Sequence, residues 1–223
     1  MIANVLVMDV AVKDAHLMGL GEHWTHWRDC EHLLYVKMGT GIGCGIVVGG
    51  EVYRGVSGSA GDIGHIRVDD DGPVCSCGNV GCLEALFSGA ALARDATAAA
   101  KAGTSPALAE RLAAGGAITA KDVADGAAEG DVTCIRLIRD GGRRVGSVLA
   151  GLVSFINPSM IVIGGGLAGL GHILLAEIRS VVYRRSLPLA TGHLPVVLSE
   201  LGPRAGVAGA AVLASENAYD DPA

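Results

Sequence analysis

The chain has 223 residues, enough for one large or two small domains whose core needs no crosslinks. Half of the residues are hydrophobic and only 18% are charged, which indicates a globular chain, and the formal net charge of −6 argues against general affinity for nucleic acid. The opening MIANVLVMDV lacks a basic region and a cleavage site, and no apolar run has the length of a membrane span, so we expect a cytoplasmic protein without a membrane partner.

The first third of the chain alternates predicted strands with turns. Residues 4–8 form an apolar run typical of a buried strand, and residues 14–24 are predicted as a helix with Asp14 as its N-cap. A second strand is expected at residues 33–37. After the glycine-rich run GTGIG, the pair Gly49-Gly50 joins two short apolar segments and predicts a hairpin.

The middle of the chain is predicted to be helical. Residues 83–102 are expected to form one alanine-rich helix, and the next helix begins at a Ser105 cap followed by proline. The run T-A-K-D beginning at Thr119 resembles a capping box. Asp131 can cap a long helix that stops at Asn157, because the following proline disfavours helix in the residue before it.

The last third returns to alternating strands and helices. Residues 160–166 are predicted as a buried strand that ends in a turn, followed by a helix to about Tyr183. The run PVVLS predicts another strand, and a last helix is expected from Ala205. Alternation of strands and helices along the whole chain indicates an α/β fold.

Three of the six cysteines follow a histidine closely. His65 precedes Cys75, Cys77 and Cys82, and two glycines between the last two cysteines allow the sulfurs to converge. Three thiolates and one imidazole make a complete tetrahedral zinc set with no open position. We therefore expect structural Zn²⁺ that positions Glu84 in the next helix. Buried free cysteines are the alternative; disulfides are not favoured in a chain of this size without a signal peptide.

Two glycine-rich segments are candidates for binding a nucleotide. GTGIG, residues 39–43, could present backbone N–H groups to a phosphate, and a plain hairpin is the alternative. GGGLAG, residues 164–169, matches G-x-G-x-x-G. A dinucleotide fold also needs an acid about twenty residues later. No Asp or Glu lies between Glu177 and Glu200, so we disfavour that interpretation.

The run GTGIGCGIVVGGEVYRGVSGSAGDIGHIRVDDDGPVCSCGNVGCLEALFSG resembles the core signature of the ROK family, named for its repressors, unassigned reading frames and sugar kinases. The resemblance extends back through KDAHLMGLGEHW and forward to INPSMIVIGGGLAG. It implies a two-lobed α/β fold of the actin and hexokinase type, which is ribonuclease H-like, with zinc at His65 and the three cysteines and a sugar in the cleft. Residues 1–64 would be the remainder of the first lobe, and residues 65–223 the zinc loop and a complete second lobe.

The resemblance also assigns roles to individual residues. Asp14 matches the catalytic base of the family's N-D-x-N motif, and the sugar-hydroxyl ligands match Asp62, His65 and Glu84. Carboxylates and imidazole suit hydroxyl binding and proton transfer. The structural alternatives are a helix cap for Asp14, an ordinary loop acid for Asp62 and a first-turn helix acid for Glu84. On the nucleotide side, the resemblance points to Gly39, Thr40, Gly41 and Gly43 for phosphate and to Gly164, Gly165 and Gly166 for adenosine.

This sequence also departs from the family pattern. Relatives begin with an earlier strand and hairpin that carry a D-x-G-G-T-type phosphate motif, so we expect an incomplete first lobe with half of the phosphate clamp missing. Lys13 and His16 replace the two asparagines of N-D-x-N, and Asp62 replaces the usual glutamate of G-E-I-G-H. Lys13 is expected to place a cation beside Asp14.

Two functions from different classes remain open. The first is the sugar-sensing domain of a ROK transcriptional regulator, favoured because AGDIGH and VYRGVSGSAG look closer to the regulator branch. DNA would then be bound only through an absent upstream segment, and a homodimer or tetramer is expected. The second is a truncated or degenerate sugar kinase that requires ATP and Mg²⁺. A truncated pseudoenzyme that binds neither the sugar nor ATP is a third, weaker alternative.

Overall fold

The computed structural model describes residues 4–7 and 10–219. The strands are β1 (Asn4–Val7), β2 (Val10–Lys13), β3 (His32–Met38), β4 (Ile42–Val48), β5 (Glu51–Val52), β6 (Met160–Gly164) and β7 (Val196–Leu198). The α-helices are α1 (Asp14–His26), α2 (Leu83–Leu86), α3 (Gly89–Lys101), α4 (Pro106–Ala113), α5 (Ala120–Ala128), α6 (Val132–Ile156), α7 (Gly171–Arg185), α8 (Pro188–Thr191) and α9 (Ala205–Tyr219). The chain is therefore α/β, as the alternating pattern predicts.

The main sheet has five strands in the order β5-β4-β3-β6-β7. Strand β3 runs antiparallel to β4 and parallel to β6, with Lys37 opposite Gly164, and β7 extends the parallel part. The carboxyl ends of β3, β6 and β7 therefore meet at one edge. This sheet takes strands from both sides of the domain boundary predicted after residue 64, so that boundary does not separate two sheets. Strands β1 and β2 form a separate antiparallel pair.

Helices cover both faces of this sheet. On one face, Leu34 and Val36 of β3 belong to a core that includes Leu149 of α6 and Ile178 of α7. On the other face, Tyr35 packs near α1 and the start of α9. Because neighbouring residues of a strand point to opposite faces, the nearly continuous apolar run of β3 reflects burial on both sides.

Most predicted helix ends are confirmed. Thr119 and Asp122 exchange both hydrogen bonds of a capping box. Asp131 caps α6 by accepting from the Cys134 N–H at 2.9 Å, and the helix ends before Asn157, which adopts a left-handed φ of 52°. The hairpin at Gly49-Gly50 is also present. The strand predicted at residues 4–8 is found at Asn4–Val7; Met8 lies outside the described residues.

Two predictions about elements are wrong in detail, and strand β2 was missed. The helix predicted over residues 83–102 is broken between α2 and α3, because the Ser88 side chain accepts from the Ala91 N–H and starts a new helix. The strand predicted over 160–166 ends at Gly164, and a 3₁₀ turn at Gly166–Leu170 precedes α7. Strand β2 was not predicted, and its pairing with β1 explains its extended conformation.

Within residues 4–7 and 10–219, one helical segment, Gly166–Arg185, passes a test of length and apolar composition for crossing a membrane. The segment combines the 3₁₀ turn with α7. Its residues Leu174, Ile178 and Val182 are fully buried and belong to the core that α6 and α7 share. This packing accounts for the apolar composition of the segment.

Candidate functional site

A cavity of about 390 Å³ lies where the carboxyl end of β3 meets the start of α1. Asp14, Asp62, His65 and Glu84 all line it, so the structure brings together the four residues that the sequence nominates for sugar chemistry. The volume lies within the usual range for small-molecule sites. Their individual roles remain predictions.

Asp14 is held by a lysine from the sheet. It is the first residue of α1, and the N-cap position belongs to Lys13. The prediction that Asp14 caps the helix is therefore wrong. Its Oδ2 instead accepts a hydrogen bond from Lys37 Nζ at 2.6 Å, because β3 brings that ammonium group to the cavity.

A second ion pair joins α1 to the loop that contains Asp62. Lys13 Nζ lies 2.5 Å from Asp62 Oδ2. Lys13 and Asp14 line the same cavity, and the expectation that Lys13 places its charge beside Asp14 stays a prediction. Near Asp62, the buried His16 places Nε2 2.9 Å from the Ala60 carbonyl oxygen. Burial lowers the pKa of His16, so a neutral ring that donates to this carbonyl is favoured.

Glu84 lies against the predicted phosphate loop. Its Oε2 accepts from the Ile42 N–H at 3.0 Å. A Cβ at Gly41 would lie only 2.5 Å from that oxygen, so a side chain at this position would displace the Glu84 carboxylate. Thr40, Gly41 and Gly43 line the cavity. Gly39 turns the loop, with its N–H donating to the Gly41 carbonyl at 2.9 Å.

The second glycine-rich segment adjoins the first but lies outside the cavity lining. Gly164 ends β6, and Gly165 has a φ of 82°. A Cβ on Gly165 would approach the Met38 carbonyl oxygen to 2.4 Å, which places Gly165 directly against the end of β3. Gly166 begins the 3₁₀ turn. Both segments therefore lie at the same edge of the sheet.

The histidine and three cysteines form one group that could hold a metal ion. The ligand atoms of His65, Cys75, Cys77 and Cys82 all lie within 4.8 Å of one another. Cys75 Sγ is 3.6 Å from His65 Nδ1, and Cys77 Sγ is 3.7 Å from Cys82 Sγ. Tetrahedral zinc, with bonds of about 2.1–2.3 Å to nitrogen and sulfur, separates its ligand atoms by about 3.5–3.8 Å. The donor set and its spacing therefore fit zinc.

Tight turns bring these ligands together. The Gly78 N–H donates to the Cys75 carbonyl at 2.9 Å, and Gly78 has a φ of 92°, which favours glycine. Without a metal ion, burial raises the pKa of Cys82 to about 12, and the neighbouring thiols contribute to this rise. A cation bound by the sulfur would instead stabilise the thiolate. Cys82 directly precedes α2, so the group also positions Glu84.

Lys37 is the site residue that sequence reasoning missed. It is the one charged residue in the otherwise apolar run LLYVKM, directly before the glycine-rich loop. A charge in a strand that is buried on both faces requires a partner or a functional role. The charge of Lys37 in this apolar run could therefore be noticed in the sequence, but the sequence does not show that Asp14 is its partner.

A sheet covered by helices on both faces, with an acidic cavity and a glycine-rich loop at one edge, defines the class of protein: its fold is of the actin and hexokinase type. The particular family follows from comparison with known proteins. The ROK family model matches residues 3–217, and the chain belongs to this family. The fold and family expected from the sequence are both confirmed.

The relatives include regulators and kinases. The chain is 37% identical over 212 residues to the putative xylose repressor of Caldicellulosiruptor sp. (strain Rt8B.4), covering 94% of this chain and 53% of that protein. A solved ROK family transcriptional regulator, a homolog of the E. coli MLC protein, matches with a TM-score of 0.82 at 32% identity, covering 92% of this chain and 51% of that one. The chain thus spans about half the length of these regulators.

A ROK family glucokinase is nearly as similar in structure. The enzyme from Streptomyces griseus, solved in complex with glucose and AMPPNP, matches with a TM-score of 0.81 and 34% identity, covering 93% of this chain and 68% of that one. Repressors and glucokinases both occur among the curated relatives. Similarity alone therefore does not decide between the two functions.

Proposed function

We propose that this chain is the sugar-sensing domain of a ROK-family transcriptional regulator, braced by a structural zinc ion. The observation that carries the proposal is the pairing of both cavity aspartates with lysines, at 2.6 Å for Asp14 and 2.5 Å for Asp62. DNA binding through another segment of the full-length protein, self-association and a cytoplasmic location belong to the same proposal.

The ion pair at Asp14 supports a binding role over a catalytic one. In a sugar kinase, the catalytic carboxylate accepts the proton of the attacking hydroxyl and needs direct access to it. Here the Lys37 ammonium group occupies Asp14 Oδ2. Oδ1 is left to accept from a hydroxyl, so Asp14 can bind a ligand while its Oδ2 stays paired with Lys37.

Zinc would be held by His65, Cys75, Cys77 and Cys82. When bound, it supplies rigidity to a loop with little regular structure and couples the folding of that loop to metal binding. Because Nδ1 of His65 faces Cys75, Nε2 would carry the proton and could donate to a sugar hydroxyl in the cavity. Glu84 Oε1 would accept from another hydroxyl, since Oε2 is bound by Ile42.

Sugar titration of the purified chain tests this proposal. Glu84→Ala should lower the affinity for a bound sugar about tenfold or more, because loss of a buried acceptor costs roughly 1–3 kcal/mol. Isothermal titration calorimetry measures the affinities. Glu110→Ala on α4 is the matched control, since Glu110 is exposed and outside the cavity. Equal affinities in the wild type and Glu84→Ala would contradict the placement of the sugar.

The second candidate is an ATP-dependent sugar kinase. The structural match to a glucokinase that binds glucose and AMPPNP favours it, as does the position of the glycine-rich loop at the cavity. A coupled assay for ADP with ATP, Mg²⁺ and a panel of hexoses decides between the two. The regulator proposal expects no sustained turnover. Robust ADP formation that disappears in Asp14→Ala would overturn it.

A further inference from the structure

The three cysteines of the metal-binding group differ in how far solvent reaches them. Cys77 is exposed, whereas Cys75 is 5% exposed and Cys82 is fully buried. Cys77 also lines the cavity. Chemical modification of a thiol requires that the reagent can reach the sulfur. Of the three sulfurs in this group, Cys77 Sγ is therefore the one open to small molecules in solution.

A second sulfur lies close to this exposed one. Cys77 Sγ is 3.7 Å from Cys82 Sγ. A disulfide bond is about 2.0 Å long, so a small movement of Cys77 brings the two sulfurs to bonding distance. The neighbouring turn leaves room for this movement, because a Cβ added to Gly78 would meet nothing within 4 Å. An accessible thiol beside a second, resolving thiol is typical of cysteines that respond to oxidants.

We infer that Cys77 and Cys82 form a redox pair, in which a hydroperoxide oxidises Cys77 and Cys82 then closes a disulfide with it. The inference rests on the proposed function, because it makes the binding of zinc and of sugar depend on the oxidation state of this pair. A metal-binding group with a purely structural role would keep its ion in the presence of the same oxidant.

The chemistry has two steps that need only the peroxide as co-reactant. With hydrogen peroxide, the Cys77 thiolate attacks one peroxide oxygen, the S–O bond forms and the O–O bond breaks. Hydroxide leaves, and the sulfur has lost two electrons to the peroxide. The Cys82 thiolate then attacks the Cys77 sulfur, so that the S–S bond forms, the S–O bond breaks and a second hydroxide leaves. One peroxide molecule is consumed for each disulfide.

Closing this disulfide would alter both the metal-binding group and the cavity. It removes two of the four donors, because a disulfide sulfur lacks the thiolate charge that binds a metal ion. His65, which lines the cavity, would lose the ion that fixes its ring, and Cys82 directly precedes the helix that contains Glu84. Conversely, a ligand that fills the cavity would cover Cys77 and shield it from the oxidant.

The test treats the zinc-loaded full chain with hydrogen peroxide. A chromogenic chelator follows zinc release, and alkylation before and after reduction, read by tandem mass spectrometry, identifies the oxidised cysteines. Free zinc and the disulfide between Cys77 and Cys82 should appear in equal amounts, and dithiothreitol with added zinc should reverse both. The affinity for a bound sugar, found by calorimetry with glucose, xylose and N-acetylglucosamine, should fall about tenfold or more on oxidation.

Two comparisons link the response to this pair. Cys30→Ser is the matched control, because Cys30 is partly exposed but lies outside the metal-binding group. This variant should release zinc as fast as the wild type. A saturating concentration of a bound sugar should slow zinc release several-fold, since the sugar covers Cys77.

The outcomes separate this inference from the proposed function. Absence of the disulfide, a disulfide that joins Cys75 and Cys77 instead, or zinc that stays bound after the disulfide forms overturns the redox pair and leaves sugar sensing in place. A bound sugar that does not slow the oxidation overturns the shielding of Cys77. If no sugar binds, the proposed function is contradicted, while the disulfide assignment still decides the redox pair.

Discussion

His65 takes part in two features of the molecule at once. Its Nδ1 lies 3.6 Å from Cys75 Sγ in the metal-binding group, and its side chain also lines the cavity. Cys77 likewise belongs to the metal-binding group and lines the cavity. Any change to the metal-binding group therefore reaches the wall of the cavity without an intervening element.

Removing one metal ligand tests the zinc proposal at the scale of a residue. Cys77→Ser should lose the bound zinc and lower the melting temperature by several degrees, because metal binding energy is coupled to folding. Elemental analysis and thermal unfolding measure the two effects. Cys30→Ser is the control, since Cys30 lies outside the four ligands. Wild-type protein that contains no zinc when prepared without chelator would contradict the site.

The metal-binding group could be predicted from sequence because its residues lie close together along the chain. The ion pairs of the cavity could not. Lys37 and Asp14 belong to different elements that only the packing of α1 against the sheet brings together. The pairing of Lys13 with Asp62 could not be predicted either, because the two residues are far apart in the sequence.

At the scale of elements, α1 and α9 cross at unusually short distance. A Cβ on Gly209 would lie 1.7 Å from the Leu17 carbonyl oxygen, and one on Gly21 would lie 2.2 Å from the Ala205 carbonyl oxygen. The two backbones touch because neither residue has a side chain. These glycines are therefore required by packing and not by a turn.

Gly209→Ala should destabilise the protein by about 2 kcal/mol or more, because the helices must separate to admit the methyl group. Urea denaturation measures this change in the free energy of unfolding. Gly151→Ala in α6 is the matched control, since nothing lies within 4 Å of its added Cβ. The control should be neutral or stabilising by about 0.5–1 kcal/mol. Equal effects of the two substitutions would contradict the close crossing.

Capping residues made most helix ends predictable, since Thr119 and Asp131 act on the backbone within a few residues. The break at Ser88 was missed because a run of alanine-rich helical sequence masked its cap. The crossing of α1 and α9 could not be predicted, because it depends on Gly21 and Gly209, which are far apart in the sequence.

At the scale of the whole molecule, a buried carboxylate ties the first helix to the last part of the chain. Glu22 of α1 is fully buried. Its oxygens accept from Ser199 Oγ at 2.7 Å and from the N–H groups of Glu200 and Leu201 at 2.7 and 3.4 Å. These contacts hold the segment between β7 and α9, and with it the position of α9 on α1.

Glu22→Ala should cost about 3 kcal/mol or more, because several buried donors lose their acceptor at once. Glu22→Gln keeps one acceptor oxygen and should cost less. Chemical denaturation monitored by circular dichroism gives both values. A Glu22→Ala variant as stable as the wild type would show that water or another group replaces the carboxylate. The α/β class was predictable from the alternation of elements; this connection between distant elements was not.

If the group of His65, Cys75, Cys77 and Cys82 holds zinc as proposed, the position of His65 and Cys77 in the cavity wall would provide an optical probe. Cobalt(II) accepts the same nitrogen and sulfur donors as zinc and absorbs visible light when bound by thiolates. Substituted at this group, cobalt would change colour as occupants of the cavity alter the surroundings of its histidine. Binding of colourless, non-fluorescent sugars could then be followed directly in the spectrum.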